Sequence, residues 1–218
     1  MDSSKIDSDL LIPGGRHTLP PQEVSGRQRE RLLRATAGCV SERGYRSTTI
    51  ADIVRAARTS RTAFYEHFAD KEECFLEAYQ QMAAAYIETA LEAAASVTDW
   101  QAKLEVGIYT YFRWMAEHPD VALSTVVEIH NAGRRGLEAR AQALRQWMRT
   151  IEGVAVLARR AGAELPGLDE VAYMAIVLTA EAYVHDYARR GCVEQVVEKA
   201  PAVQALARTL FAHGVASA

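Results

Sequence analysis

The chain predicts an all-α fold of about nine helices, and three observations carry that prediction. Ala, Leu, Glu, Gln and Arg, which favour helix, dominate everything after residue 26. Apolar residues recur there at spacings of three and four, and no β-branched run alternates over the length of a strand. The periodic stretches end at helix stops: Gly44, Pro119, Gly162 and Gly191.

Residues 1–26 hold Pro13, Gly14, Gly15, Pro20 and Pro21 with few large apolar groups, the composition of a flexible arm. The first helix is expected from Gly26 to Arg43, with Leu33, Ala37 and Val40 on one face. The second spans Thr48 to Ala57, where Thr49 and Asp52 have capping-box spacing and Ile50, Ile53, Val54 and Ala57 form the apolar face. A third runs from Ser60, a suitable N-cap, to Phe68. Asp70, with Glu73 three residues on, opens a long helix to Ala95. Thr98 with Gln101 opens the next, which stops at His118 because Pro119 follows. Helices over Asp120–Asn131, Arg134–Ala161, Asp169–Arg190 and Glu194–His213 complete the set, with Glu164–Gly167 as a loop.

Composition bounds the function. The chain has 218 residues, 49% hydrophobic and 24% charged, as in ordinary globular proteins. No stretch approaches the roughly 20 apolar residues that span a bilayer, and the N-terminus lacks a basic-then-apolar signal pattern. The expectation is a cytoplasmic protein without a membrane partner. Cys39, Cys74 and Cys192 are far apart, which argues against a disulfide framework or a zinc site. The net charge of −3 conceals a division: Arg16 to Lys71 carries 11 Lys/Arg against 6 Asp/Glu, whereas Glu72 to the end carries 13 against 19. A basic front section suggests contact with a polyanion.

Helices two and three are joined by Arg58-Thr59-Ser60 and are too short to persist alone, so they need the first helix to bury their apolar faces. Such a tripod is a helix-turn-helix, which presents its last helix to the major groove. The positions expected on that face are Ser60, Arg61, Thr62, Ala63, Tyr65 and His67, with Lys71, Thr48 and Thr49 at neighbouring helix starts for phosphates. Arg61 could bond guanine, and the Ala63 methyl could meet a thymine methyl.

Residues 27–75 resemble the N-terminal domain of the TetR family of bacterial transcriptional regulators. The resemblance rests on Thr48-Thr49, Ile53, Ala56-Ala57, Ser60, Phe64-Tyr65, Phe68 and Lys71-Glu72-Glu73, all in the family's register. The turn departs from it. Arg58-Thr59 stands where the family usually has Gly-Val, and Thr62 where a Gly is common, so target sequences do not transfer.

The resemblance implies three regions: an arm over 1–26, a DNA-binding domain over 27–71, and a ligand-binding and dimerisation domain over 72–218. It also implies a homodimer through the last two helices, whose apolar residues cover more than one face. For a ligand pocket, the candidates are Tyr86, Tyr109, Phe112, Met115, Trp147 and Tyr173, with Glu128 and Glu181 as polar anchors. No metal and no cofactor are expected beyond an unidentified small-molecule effector. The function so implied is a repressor that binds a palindromic operator as a dimer and is released by that effector. The alternative is a ligand-independent DNA-binding or protein-recruiting module whose second domain is purely structural. An enzyme is not expected, for the chain has neither a nucleophile elbow nor a phosphate loop.

Overall fold

The computed structural model describes residues 21–213, and every regular element among them is helical. The chain divides into two compact units between Ala78 and Tyr79, later than the boundary expected after Lys71.

The first unit holds α1 (Pro21–Arg43), α2 (Ile50–Ala56), α3 (Arg61–His67) and the first turns of α4 (Lys71–Ala95). Helix α1 starts earlier than Gly26 because Pro21 suits a first helical position, where its missing N–H is not needed. The rest of the expected arm, residues 1–20, lies outside the described residues. The local chemistry of α2 and α3 is as the sequence predicts. Thr49 Oγ1 accepts from the Asp52 amide at 3.2 Å, and Asp52 Oδ2 accepts from the Thr49 amide at 3.1 Å, which closes a capping box. The bonds from Thr49, with Arg43 and Arg55 nearby, hold the Asp52 carboxyl below the usual carboxylate range. Ser60 Oγ accepts from the Ala63 amide at 3.0 Å. Leu32, Val40, Ile53, Phe64, Phe68 and Phe75 pack as the core of this unit, each fully or almost fully buried. At about 1.5–3 kcal/mol per large apolar side chain, that burial is what lets two seven-residue helices persist. Thr36 donates to the Leu32 carbonyl at 2.8 Å and lies 3.1 Å from Cys74 Sγ. Burial pushes the Cys74 thiol up to about 12, so it behaves as a small apolar group.

In the second unit, α5 (Trp100–Glu117) is capped by Asp99, whose carboxylate accepts from the Ala102 amide at 2.8 Å. The cap is therefore Asp99 and not Thr98. The helix expected over Asp120–Asn131 is three pieces: α6 (Pro119–Ala122), a π turn over Leu123–Val127 and a 3-10 turn over Glu128–Ala132. Thr125 donates back to the Val121 carbonyl at 2.8 Å, and three successive β-branched residues crowd the spiral, which favours the wider turn. Gly133, at φ +71°, ends the segment. Helix α7 (Gly133–Arg160) then packs against the 3-10 turn and against α8 (Glu170–Arg189), which Asp169 caps. The last expected helix is also divided, into a 3-10 turn over Val193–Lys199 and α9 (Ala200–His213). Pro201 is the cause: it cannot donate to a preceding carbonyl and so occupies the first turn of a new helix. Helix α5 lies against both of these C-terminal pieces.

Candidate nucleic-acid interface and effector cavity

Helix α3 is braced on its buried side by Ala63, Phe64 and the following Phe68. Gln28 of α1 donates to Thr59 Oγ1 at 2.8 Å, which ties the turn before α3 to the first helix. Arg29 of α1 bonds both carboxylate oxygens of Glu77 and covers the Phe68 ring at 5.0 Å. The residues left outward are Arg61, Thr62, Tyr65 and Glu66, with Ser60 and Arg58 in the approach. Tyr65 is 51% exposed, high for an aromatic ring, and it meets Phe64 edge-on at 5.5 Å.

Six of the expected contact residues are engaged within the fold, Ser60 through the cap it makes on the Ala63 amide. Ala63 is 7% exposed, so its methyl is turned away from the exposed side of α3. Thr48 is buried, and its hydroxyl donates to the Cys39 carbonyl at 3.0 Å and to the Gly44 carbonyl at 2.9 Å. That hydroxyl staples the turn between α1 and α2 and is not presented to solvent. Thr49 is exposed, but its hydroxyl serves the capping box. Lys71 is half-buried, and its ammonium donates to the Tyr45 carbonyl at 2.7 Å and the Thr48 carbonyl at 2.8 Å. The same ammonium lies 4.3 Å from the Tyr45 ring centre, and desolvation lowers its pKa. His67 is half-buried with Nε2 enclosed and without a hydrogen-bond partner, and desolvation followed by Arg29 keeps it below the ordinary histidine value.

The turn adds two residues that the motif does not single out. Arg58 has φ +50°, in the left-handed region, with its side chain exposed. Arg46, also exposed, stands just before the Thr48 staple.

In the second unit, Tyr86, Met115, Trp147 and Glu181 line one small cavity. Tyr79, Tyr111, Thr125 and Val126 complete most of its wall. Its free space is about 20 Å³, room for about one water molecule. Tyr111 meets Trp147 at 4.1 Å and Tyr86 at 5.3 Å between ring centres. Arg140 of α7 bonds both oxygens of Glu181 on α8, through Nε at 2.9 Å and through its second terminal nitrogen. Burial, then the neighbouring tyrosines and Glu181, raises the Tyr86 and Tyr111 phenols, so both are neutral donors.

The other candidates lie apart from this cavity. Tyr109 is 44% exposed. Phe112 is fully buried beyond Tyr111, at 5.6 Å. Tyr173 packs edge-on to Phe211 at 6.5 Å, and Glu128 accepts from Asn131 at 3.1 Å. A larger, open hollow of about 510 Å³ lies between Trp100, Leu104, Leu165 and Phe211. Among the described residues no group of three His, Cys, Asp or Glu could hold a metal, and no helix is long and apolar enough to cross a membrane.

Comparison with known proteins places this geometry. Residues 32–78, the helix-turn-helix and the start of α4, match the family "Bacterial regulatory proteins, tetR family". The HTH-type transcriptional repressor AcnR of Corynebacterium efficiens is 36% identical over 64 residues, which is 29% of this chain. That match spans about a third, 34%, of the curated relative's length. The fatty acid degradation regulator FadR of Bacillus halodurans superposes with a TM-score of 0.75 at 17% identity, over 93% of this chain and 100% of that one. FadR of Bacillus subtilis, solved in complex with stearoyl-CoA, gives 0.74 at 19% identity, over 85% and 98%. At those identities the two superpositions speak for the fold, and the motif residues of the first unit speak for the family. Residues 32–78 thus carry the helix-turn-helix module of the TetR family of bacterial transcriptional regulators.

Proposed function

We propose that the protein is a cytoplasmic repressor that binds a palindromic operator as a homodimer and releases it when a small molecule enters the second unit. The observation that carries the DNA-binding half is the exposed face of α3, where Arg61, Thr62 and Tyr65 stand out from a helix whose other side is locked into the core. An α-helix fits the major groove, and Arg61 has the fork geometry for the O6 and N7 atoms of guanine. Two such helices about 34–36 Å apart would meet successive grooves, so the operator should be a pseudo-palindrome. For the dimer, α8 offers Val171 and Leu178 on its exposed side, and α9 keeps Leu206 and Leu210 only partly covered. Release requires a ligand that prefers the conformation unsuited to DNA, and a coupling of about 1–3 kcal/mol would change operator affinity roughly 5–150-fold. The stearoyl-CoA in the complex of Bacillus subtilis FadR supports a small-molecule ligand for a chain of this fold.

The test is binding of the full-length protein to fragments of its own promoter, monitored by fluorescence anisotropy. Arg61→Ala should cost about 1–3 kcal/mol at the cognate site and relax preference at one base position. An unchanged base preference would remove α3 from the reading role.

A second reading is favoured by one observation, the small free volume of the Glu181 cavity. A constitutive DNA-binding module with a purely structural second unit would need no larger space. It predicts an operator affinity that no small molecule changes.

A further inference from the structure

The cations of the helix-turn-helix divide into those engaged by the fold and those left open to solvent. Arg43 and Arg55 both bond Asp52 Oδ1, at 3.0 and 3.2 Å. Lys71 is bound to the carbonyls of Tyr45 and Thr48. Arg46, Arg58 and Arg61 are exposed and make no hydrogen bond or ion pair with the described residues. Arg61 is on the outward side of α3 and Arg58 is in the turn before it. Arg46 stands elsewhere, in the connection that leads from α1 into α2.

That connection, residues 44–48, is held along its whole length. The Gly44 amide donates to the Val40 carbonyl at 2.8 Å, and the Thr48 amide to the Gly44 carbonyl at 3.2 Å. The Thr48 hydroxyl adds its bonds to the Cys39 and Gly44 carbonyls. The Tyr45 ring lies 4.9 Å from the buried Phe75 ring, between centres. The Lys71 ammonium then bridges the two carbonyls on either side of Arg46 and Ser47. Of the five residues, Arg46 and Ser47 are the exposed ones. A guanidinium carried on so fixed a backbone loses less freedom on binding than one on a mobile loop.

We propose that Arg46 holds a backbone phosphate of the operator at the entry to α2, the role that sequence spacing gives to Thr48 and Lys71. In a helix-turn-helix the helix before the reading helix crosses the sugar–phosphate backbone, and α2 is that helix. Arginine matches phosphate oxygens with paired N–H bonds, and such a contact fixes register on the duplex without reading a base. The proposal rests on the reading that the first unit binds duplex DNA, and it names the residue that anchors it there.

The experiment compares the full-length protein with Arg46→Ala, Arg46→Lys, Arg61→Ala and Lys71→Ala. Fluorescence anisotropy is measured over a range of salt concentrations on a fragment of the protein's own promoter and on an unrelated duplex of equal length. Urea unfolding is measured in parallel. Arg46→Ala should weaken binding to both duplexes by the same factor and leave the urea midpoint unchanged. It should also reduce the slope of log affinity against log salt by about 0.9 per protomer. Arg46→Lys keeps the charge and should restore the slope. An Arg46→Ala protein with the wild-type slope overturns the proposal, as does a loss confined to the promoter fragment. A slope reduced in Lys71→Ala but not in Arg46→Ala returns the phosphate to Lys71 and overturns it too. So does a slope that stays low in Arg46→Lys. Arg61→Ala separates the two readings. An unchanged base preference in that variant, beside a reduced slope in Arg46→Ala, removes α3 from the reading role and leaves the phosphate contact standing. The reverse pair of results removes Arg46 alone. A wild-type protein that binds neither duplex sinks both.

Discussion

Lys71 shows how a charged residue of a helix-turn-helix motif can be tied into the fold itself. Sequence spacing puts it beside a helix start, where a phosphate contact is the natural expectation. In the folded chain its ammonium instead bonds the carbonyls of Tyr45 and Thr48, which fixes the turn entering α2. Hydrogen bonds to a charged donor contribute about 1.5–3 kcal/mol each at most, and solvent reduces this for a half-buried lysine. Lys71→Ala should therefore destabilise the protein by about 1–2 kcal/mol in urea unfolding. If the ammonium stays on the carbonyls in the complex, the slope of operator affinity against salt should not change. A slope reduced by about one counterion would instead put Lys71 on a phosphate. Arg58 makes a second prediction at this scale. A non-glycine residue at φ +50° is strained by roughly 1–2 kcal/mol, and glycine at the same place loses about 0.5–1 kcal/mol in chain entropy. Arg58→Gly should thus raise stability by up to about 1 kcal/mol, read as a higher urea midpoint at constant slope. If the Arg58 charge contributes to DNA affinity, the same variant should bind the operator more weakly.

At the scale of elements, the legible features are those encoded locally. The capping box at Thr49 and Asp52, the Ser60 cap and the stop at Gly44 involve residues within a turn of each other, and all are present. Features that depend on neighbours distant in sequence are not legible in this way. Ala63 is on the core side of a seven-residue helix flanked by two others, and a helical pattern that short does not say which side is covered. The Arg140–Glu181 pair joins residues 41 apart, so pattern alone suggests Glu181 as a polar anchor without indicating its partner. The break at Leu123–Val127 is hidden because its apolar pattern is compatible with an ordinary helix. Its surroundings are tightly specified. A Cβ at Gly136 would lie 2.6 Å from the Ile129 carbonyl oxygen and 2.8 Å from Ala132 Cβ, so α7 meets the 3-10 turn at backbone distance. Gly136→Ala should destabilise the protein by about 1–3 kcal/mol, measured by chemical unfolding, whereas Gly153→Ala on the same helix meets open space and should not.

For the whole molecule, the proposed function needs two copies. Val171 is 63% exposed and Leu178 38% exposed, one heptad apart on α8, which is more apolar surface than a lone helix face requires. Leu178→Asp should convert the dimer to monomer in sedimentation analysis. Operator affinity should then fall at least about tenfold, because a single reading helix loses the second half-site. A variant that stayed dimeric would put the interface on another face. The fold itself and the helix-turn-helix were legible from residue pattern and family resemblance. The arrangement of the Glu181 cavity was not, because its wall is made only when α4, α5, α7 and α8 bring single residues together.

Gly136 also bears on which changes of length the chain can accept. The stretch from Leu123 to Ala132 departs from regular α-helix, and an irregular surface stretch commonly absorbs added or missing residues. Here one residue more or fewer would rotate the downstream helix by about 100°, carry Ile129 and Ala132 off the bare backbone at Gly136, and turn Thr125 and Val126 relative to it. Homologous chains that keep this crossing should hold the count of residues between Pro119 and Gly136 fixed, even where the residues themselves vary.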